Sequence, residues 1–229
     1  MYPDEPIIIH KLRNYTVWFT TFAKKDIKPF TDFMVRASTN VTPMTDDLQI
    51  LDSLKDPSTR ELAFRHLISK YKERLYWHIR KIVLNHDDAD DVLQNSLIKI
   101  WNGIDSFRAE SSLFTWLYRI ATNESITFLN QRKRRIMPSL NDGNEYLVDN
   151  LQSDTYFDGD EWQMLLQKAI AILPDKQRLV FNMKYFDEIK YEEMSKILET
   201  SVGALKASYH HAVKKVEEYV KTHESGMGF

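Results

Sequence analysis

Two stretches of the sequence carry side chains that could do chemistry. His86-Asp87-Asp88-Ala89-Asp90-Asp91 offers an imidazole and four carboxylates, the donor types of a divalent-metal site. The segment from Phe107 to Arg135 offers a different set: the aromatics Phe107, Trp116 and Tyr118, the polar Ser111, Ser112 and Asn123, and the cations Arg108, Arg119 and Arg132-Lys133-Arg134-Arg135. Cations hold phosphates, aromatic rings stack on bases and an amide pairs with a base edge, so this second set suits a nucleic-acid surface.

The acidic stretch reads better as the start of a helix than as a metal site. It lacks the turn glycine and closing Glu of an EF-hand loop, and no fixed pairing with other His and Asp residues is evident. Asp87 or Asp88 is expected to cap a helix, with the remaining carboxylates favouring its N-terminus. The chain has no Cys, which excludes disulfides, thiol nucleophiles and thiolate metal sites. Neither a metal, a cofactor nor a catalytic residue is expected.

The elements that must position these groups are helical. Apolar residues make up 43% of the 229 residues and charged ones 28%, with 6 Gly, 7 Pro and no alternating strand pattern, which favours an all-α fold. Ser58-Thr59-Arg60-Glu61 has the form of a capping box. Phe64, Leu67, Ile68, Tyr71, Leu75, Ile79, Ile82 and Val83 then recur every three or four residues, leaving Lys70, Lys72, Arg74, Arg80 and Lys81 on a solvated face. Leu113, Trp116, Leu117, Ile120 and Phe128 space a second helix with Ser111 or Ser112 as its cap, and Tyr118, Arg119, Thr122, Asn123 and Ser125 on its other side. From Ile136 to Glu161 seven carboxylates occur with no Lys or Arg, and periodicity is lost, the composition of a flexible, self-repelling linker.

Beyond the linker, Trp162 to Leu173 forms an amphipathic helix. Pro174 stops it and serves the first turn of the next helix. Tyr191 to Leu198 is a short helix, Glu199 to Gly203 a turn with a Ser cap, and a long helix follows. Helix, tight turn and helix at this spacing form a helix-turn-helix. In the second helix Val202, Leu205, Tyr209, Ala212, Val213 and Val216 face inward. Lys206, Ala207, His210 and Lys214 face outward, flanked by Ser208 and His211, with Ser201 at the start.

The strings Thr115-Trp116-Leu117-Tyr118-Arg119-Ile120-Ala121-Thr122-Asn123, preceded by Phe107-Arg108 and Ser111, and Asp88-Ala89-Asp90-Asp91-Val92-Leu93-Gln94-Asn95, followed by Ile98-Lys99-Ile100-Trp101, resemble the promoter-reading and polymerase-docking segments of bacterial sigma factors of the extracytoplasmic-function (ECF) class. Leu173 to Arg178 and Ser201 to Lys206 resemble the minus-thirty-five-reading domain of the same class. The family usually has Gln-Glu where this chain has Gln94-Asn95, and more Arg where it has Ala207, His210 and His211.

The resemblance implies two small helical domains, 44–135 and 162–222, joined by the acidic linker 136–161, with a tail at 223–229. Asp91, Gln94, Asn95 and Lys99 would dock on the clamp coiled coil of core RNA polymerase, and the second domain on its flap. Asn123 would read a base flipped from the minus-ten element, in a pocket formed by Phe107 to Ser112. Trp116 and Tyr118 would assist, and Arg119 and Arg132 to Arg135 would hold phosphates. Ser201, Lys206, Ala207, Ser208, His210, His211 and Lys214 would meet duplex promoter DNA. The resemblance also implies a cytoplasmic, non-catalytic subunit, with room for an anti-sigma partner. Residues 1–43 lie outside it and are expected to be a misassigned start or an extension. Their apolar clusters are too short for a membrane span. The readings from other classes are a regulator using its helix-turn-helix alone and a phosphohydrolase built on His66, His86 and Asp87. The first predicts duplex binding without polymerase, the second hydrolysis of a phosphate ester with added metal.

Overall fold

A computed structural model describes residues 47–136, 147–148 and 161–224, and among these it contains eight α-helices and no strand. The N-terminal stretch 1–43 and nearly all of the acidic segment lie outside the described residues. The chain divides into two compact units, 1–73 and 74–229.

In the first unit, α1 (Asp47–Lys55) buries Ile50 and Leu54. Its first residue, Asp47, accepts hydrogen bonds from the Tyr71 hydroxyl at 2.7 and 2.8 Å and from Lys70 Nζ at 2.7 Å. Lys70, expected on a solvated face, thus secures the start of α1. Helix α2 (Arg60–Val83) begins without the anticipated capping box. Ser58 turns back to Asp56 at 2.9 Å, Thr59 Oγ1 donates to the Ser53 carbonyl at 2.7 Å, and Glu61 pairs with Arg65.

In the second unit, Leu84 ends α2 in a left-handed conformation (φ 59°) with its side chain buried. Helix α3 (His86–Gly103) starts at once. Its cap is Asn85, whose side chain accepts from the Asp88 N–H at 3.0 Å; Asp87 and Asp88 occupy the first turn instead. Asn85 has the extended backbone a cap requires, and the carboxylates still favour the helix N-terminus. A 3-10 turn (Ile104–Ser106) and a short loop lead into α4 (Leu113–Ile136). Ser112 caps α4, accepting from the Thr115 N–H at 3.1 Å. Ala89, Val92, Leu93 and Ile100 of α3 and Leu113, Leu117, Ala121 and Leu129 of α4 are buried as these two helices pack.

Four helices follow: α5 (Glu161–Ala171), α6 (Asp175–Tyr185), α7 (Tyr191–Leu198) and α8 (Val202–Glu224). Pro174 is the N-cap residue of α6, one position before its first turn. The buried Arg178 donates to the Ala171 and Leu173 carbonyls at 3.3 Å and to Asp175 at 2.9 Å. It therefore satisfies acceptors that the end of α5 would otherwise leave bare. Leu165, Ile170, Leu179, Phe181 and Met183 meet Leu205, Ala212, Val216 and Val220 in the core where α8 packs on α5 and α6. Of the acidic segment, residues 147–148 are described, and the Leu147 side chain is fully buried. A wholly solvated tether would not bury it.

Candidate nucleic-acid interface

The loop before α4 is held by its own contacts. Phe107 leans on Trp116 with ring centroids 5.3 Å apart, and the Trp116 ring also lies 3.5 Å from where a Cβ on Gly103 would sit. Ala109 takes a left-handed conformation (φ 57°), turning the chain so that Arg108, Ala109 and Glu110 project outward. Ser111 is half-buried, and Ser112 is spent on the cap.

Along α4 the outward face is narrower than the sequence suggests. Arg119 is half-buried and Asn123 exposed, one helical turn apart. Tyr118, Thr122 and Ser125, expected beside them, are instead interior, at 1%, 1% and 0% exposure. The Tyr118 ring packs 4.2 Å from Phe114 and 4.7 Å from His78, and its hydroxyl donates to the Arg74 carbonyl at 3.3 Å. Burial, and secondarily the charge of Asp187, push the Tyr118 phenol well above its ordinary range. Thr122 hydrogen-bonds His78, and Ser125 donates back to the Ala121 carbonyl at 2.8 Å. Trp116, 9% exposed, also belongs mainly to the core. The physical reason is that α4 is covered on two sides, by α3 and by α7, so the dry stripe is wide.

The basic run divides in two. Arg132 is ion-paired with Asp88 of α3, Lys133 is half-buried, and Arg134 and Arg135 are exposed. On α3, Asp91, Gln94, Asn95 and Lys99 are all exposed, around an Ile98 that is 58% exposed. Lys99 is ion-paired with Glu124 of α4. His86 accepts or donates one hydrogen bond with the Tyr76 hydroxyl at 2.6 Å. Among the described residues no three metal-ligating side chains converge.

The helix-turn-helix is built by α7 and α8. Glu199 ends α7 in a left-handed conformation (φ 50°, ψ 40°), the Thr200 N–H returns to the Ser195 carbonyl, and Ser201 Oγ accepts from the Ala204 N–H at 3.3 Å. Leu205 and Ala212 are buried and Tyr209 is half-buried, while Lys206, Ala207, His210, His211 and Lys214 are exposed and Ser208 is half-buried. Lys206 Nζ also lies 5.8 Å from the Tyr191 ring centroid.

Four residues of consequence escape a reading by periodicity: His78, Lys81, Asn182 and Asp187. The Asp187 carboxylate, 7% exposed, is ion-paired with Lys81 and lies 3.0 Å from His78 Nδ1. Lys81, expected on a solvated face, is 6% exposed, and Lys72 is likewise buried. Burial alone would raise the Asp187 carboxyl, but Lys81 and His78 outweigh it and hold the group below the ordinary carboxylate value. No local signal in the sequence joins position 81 to position 187.

Residues 67–135 match the family model "Sigma-70 region 2" and residues 163–216 match "Sigma-70, region 4", together more than half of the chain. The ECF RNA polymerase sigma factor SigW of Bacillus subtilis is 28% identical over 167 residues, covering 69% of this chain and 89% of that protein. The ECF RNA polymerase sigma-E factor of Escherichia coli K12 is 27% identical over 169 residues, covering 69% of this chain and 87% of its own length. In fold, the chain is similar to the sigma factor RpoE of Bartonella quintana, solved in complex with the anti-sigma factor NepR (TM-score 0.55, 23% identity, 69% of this chain and 96% of that one). It is also similar to CnrH, solved with the cytosolic domain of CnrY (TM-score 0.55, 19% identity, 77% and 99%).

Proposed function

The chain belongs to the sigma-70 family, in its extracytoplasmic-function class, and on that footing we propose how it divides the work of promoter-directed initiation between its parts. It binds core RNA polymerase and directs transcription from a limited set of promoters. The observation that carries the assignment of parts is the pairing of two outward surfaces in the order of the two family matches. Exposed Asn123 with Arg119 stands beside the capped loop 107–112, and exposed Lys206, Ala207 and His210 stand at the start of α8.

In this reading the first surface captures a single strand of the minus-ten element. Extruding a base costs a few kcal/mol of stacking, which pocket contacts must recover. Asn123 has an exposed amide for the base edge, Arg119 and the exposed Arg134 and Arg135 serve phosphates, and Arg132 and Tyr118 support the fold around them. The second surface reads duplex DNA, where residues near the start of a recognition helix reach base edges in the major groove. Asp91, Gln94, Asn95 and Lys99, with Ile98 among them, dock on the polymerase clamp, the α8 domain on its flap. The chain acts without a catalytic site of its own, in the cytoplasm. Among the described residues no helix is long and apolar enough to cross a membrane. The similar RpoE structure holds a sigma factor with an anti-sigma factor, which supports an inhibitory partner for this chain too.

Run-off transcription with purified core polymerase on a pool of genomic promoter fragments tests the reading. New start sites that depend on the protein are expected. Asn123→Ala should lower transcription from those promoters while leaving core binding nearly unchanged. Loss of core binding as well would make Asn123 a structural residue, and no new starts together with no core binding would overturn the assignment.

A further inference from the structure

One row of α4 runs on past Asn123. Asn123, Ile126, Asn130 and Arg134 follow one another at intervals of three or four residues, so they stand on the same side of the helix, and all four are exposed. Ile126 is 38% exposed, although Leu117, Ala121 and Leu129 of the same helix are buried. The Asn130 amide makes no hydrogen bond among the described residues. Thr127, beside the row, donates its hydroxyl to the Asn123 carbonyl at 2.7 Å and has no donor left to offer. From Ser125 to Ile136 there is no carboxylate, and Glu124 just before them is ion-paired with Lys99 of α3. The row can therefore approach a polyanion without repulsion from its own helix.

We infer that Ile126 and Asn130 read an adenine–thymine base pair in the duplex just upstream of the melted strand. This rests on the reading that gives Asn123 the flipped base, and extends it to residues with no part in that capture. An α-helix fits the major groove, where adenine offers N7 as an acceptor and its 6-amino group as a donor. A primary amide carries the matching donor and acceptor and pairs with both at once. Thymine presents its C5 methyl in the same groove, which an apolar side chain covers. An amide one turn along from an exposed isoleucine suits both halves of that pair. A G·C pair would meet the Asn130 amide with two acceptors on guanine and leave Ile126 no methyl to cover.

The spacing selects the position. Asn130 lies seven residues beyond Asn123. That is about 10.5 Å along the helix at 1.5 Å per residue, while base pairs stack at about 3.4 Å. The pair is thus roughly three positions from the flipped base, and on its upstream side, because the melted side has no major groove. Arg134, one turn further, is placed for a phosphate of the same duplex.

Holoenzyme assembled from core polymerase and the full chain is titrated on forked DNA from the promoters found by run-off transcription. Each fork is duplex upstream of the flipped base and single-stranded beyond it, and each upstream pair is exchanged in turn. At one position, roughly two to four pairs upstream, changing A·T to G·C should weaken binding of the parent about tenfold. Replacing that thymine by uracil, which removes only the methyl, should weaken it about threefold. Asn130→Ala should abolish most of the first preference and Ile126→Ala the second, while both keep the parent's melting temperature and its dependence on the flipped base. A parent with no preference at those positions, or with one for G·C, overturns the inference. So do variants that keep the parent's profile, which would leave the row a solvated face, or that bind every sequence more weakly by one factor, which would make it a backbone contact. A lower melting temperature in both variants makes the residues structural and overturns it too. Holoenzyme that binds no promoter fragment at all sinks the sigma reading itself, a result distinct from binding with an unchanged profile.

Discussion

Arg132, near the end of α4, is ion-paired with Asp88 in the first turn of α3, so the first cation of the basic run belongs to the fold rather than to the surface. The two side chains are only 27% and 19% exposed, which places the pair between the weak surface class and the costly buried class. Asp88→Ala is expected to lower stability by about 1–2 kcal/mol in urea denaturation. Arg134→Ala, at an exposed position, should leave stability unchanged and reduce the salt dependence of promoter binding by about one phosphate's worth. Equal stability losses for both variants would refute the division.

Tyr118 provides a sharper test of core against surface. Its ring is 1% exposed between Phe114 and His78. Tyr118→Ala should cost about 3–5 kcal/mol by opening a cavity. Tyr118→Phe should cost about 1 kcal/mol or less, because the lost hydroxyl made one long hydrogen bond of 3.3 Å. If the ring instead stacked on a base, Tyr118→Ala would keep its denaturation midpoint and lose affinity for single-stranded minus-ten DNA.

On α8, the neighbouring residues Lys206 and His210 should behave differently. Lys206→Ala is expected to weaken duplex binding several-fold on every promoter sequence, as a phosphate contact does. His210→Ala should change the preference among minus-thirty-five sequences, each altered base pair shifting binding by about 1–3 kcal/mol. Binding titrations on a set of single-base promoter variants separate the two effects. A uniform loss for both would make His210 a second phosphate contact.

Asp187 makes stability depend on acidity in a definite direction. Lys81 and His78 hold its folded-state carboxyl below the ordinary value of 3.8, against the opposing effect of burial. A depressed carboxylate stabilises fully above its unfolded value and loses that contribution as pH falls through the folded value. The stability difference between the parent chain and Asp187→Asn should therefore shrink as pH falls below about 4. Denaturant titrations at stepwise lower pH check this, and a difference that grows with acid would contradict the pairing.

Ser112 spends its side chain on the first turn of α4, accepting from the Thr115 N–H. Ser112→Ala should cost about 1 kcal/mol, and Ser112→Asp should restore most of it. The restoration separates a cap from a direct DNA contact, because a carboxylate beside DNA would lower affinity while it restored the helix.

Periodicity made the helices legible, and two further features followed from local chemistry. Tyr191 to Leu198 was readable as a short helix because its apolar residues and its flanking turn agree, and Ser112 as a cap because of where the apolar stripe begins. Asn85 was passed over because four carboxylates next to it compete for the same role, and only backbone geometry decides among them. The outward position of Asn123 was legible, whereas the burial of Tyr118, Thr122 and Ser125 was not. A helix covered on one side shows a narrow dry stripe, and α4 is covered on two. Lys81 read as a solvated cation for a different reason: its partner lies more than a hundred positions away.

Glu199 has a further consequence, in the currency of inheritance. A non-glycine residue in the left-handed region carries backbone strain of about 1 kcal/mol or more, which glycine would relieve. Glutamate and glycine codons are a single transition apart. The corner of the helix-turn-helix is therefore a position where one base change would ease the backbone and, in the same step, remove the carboxylate facing Arg119. That exchange is open to any lineage at every replication.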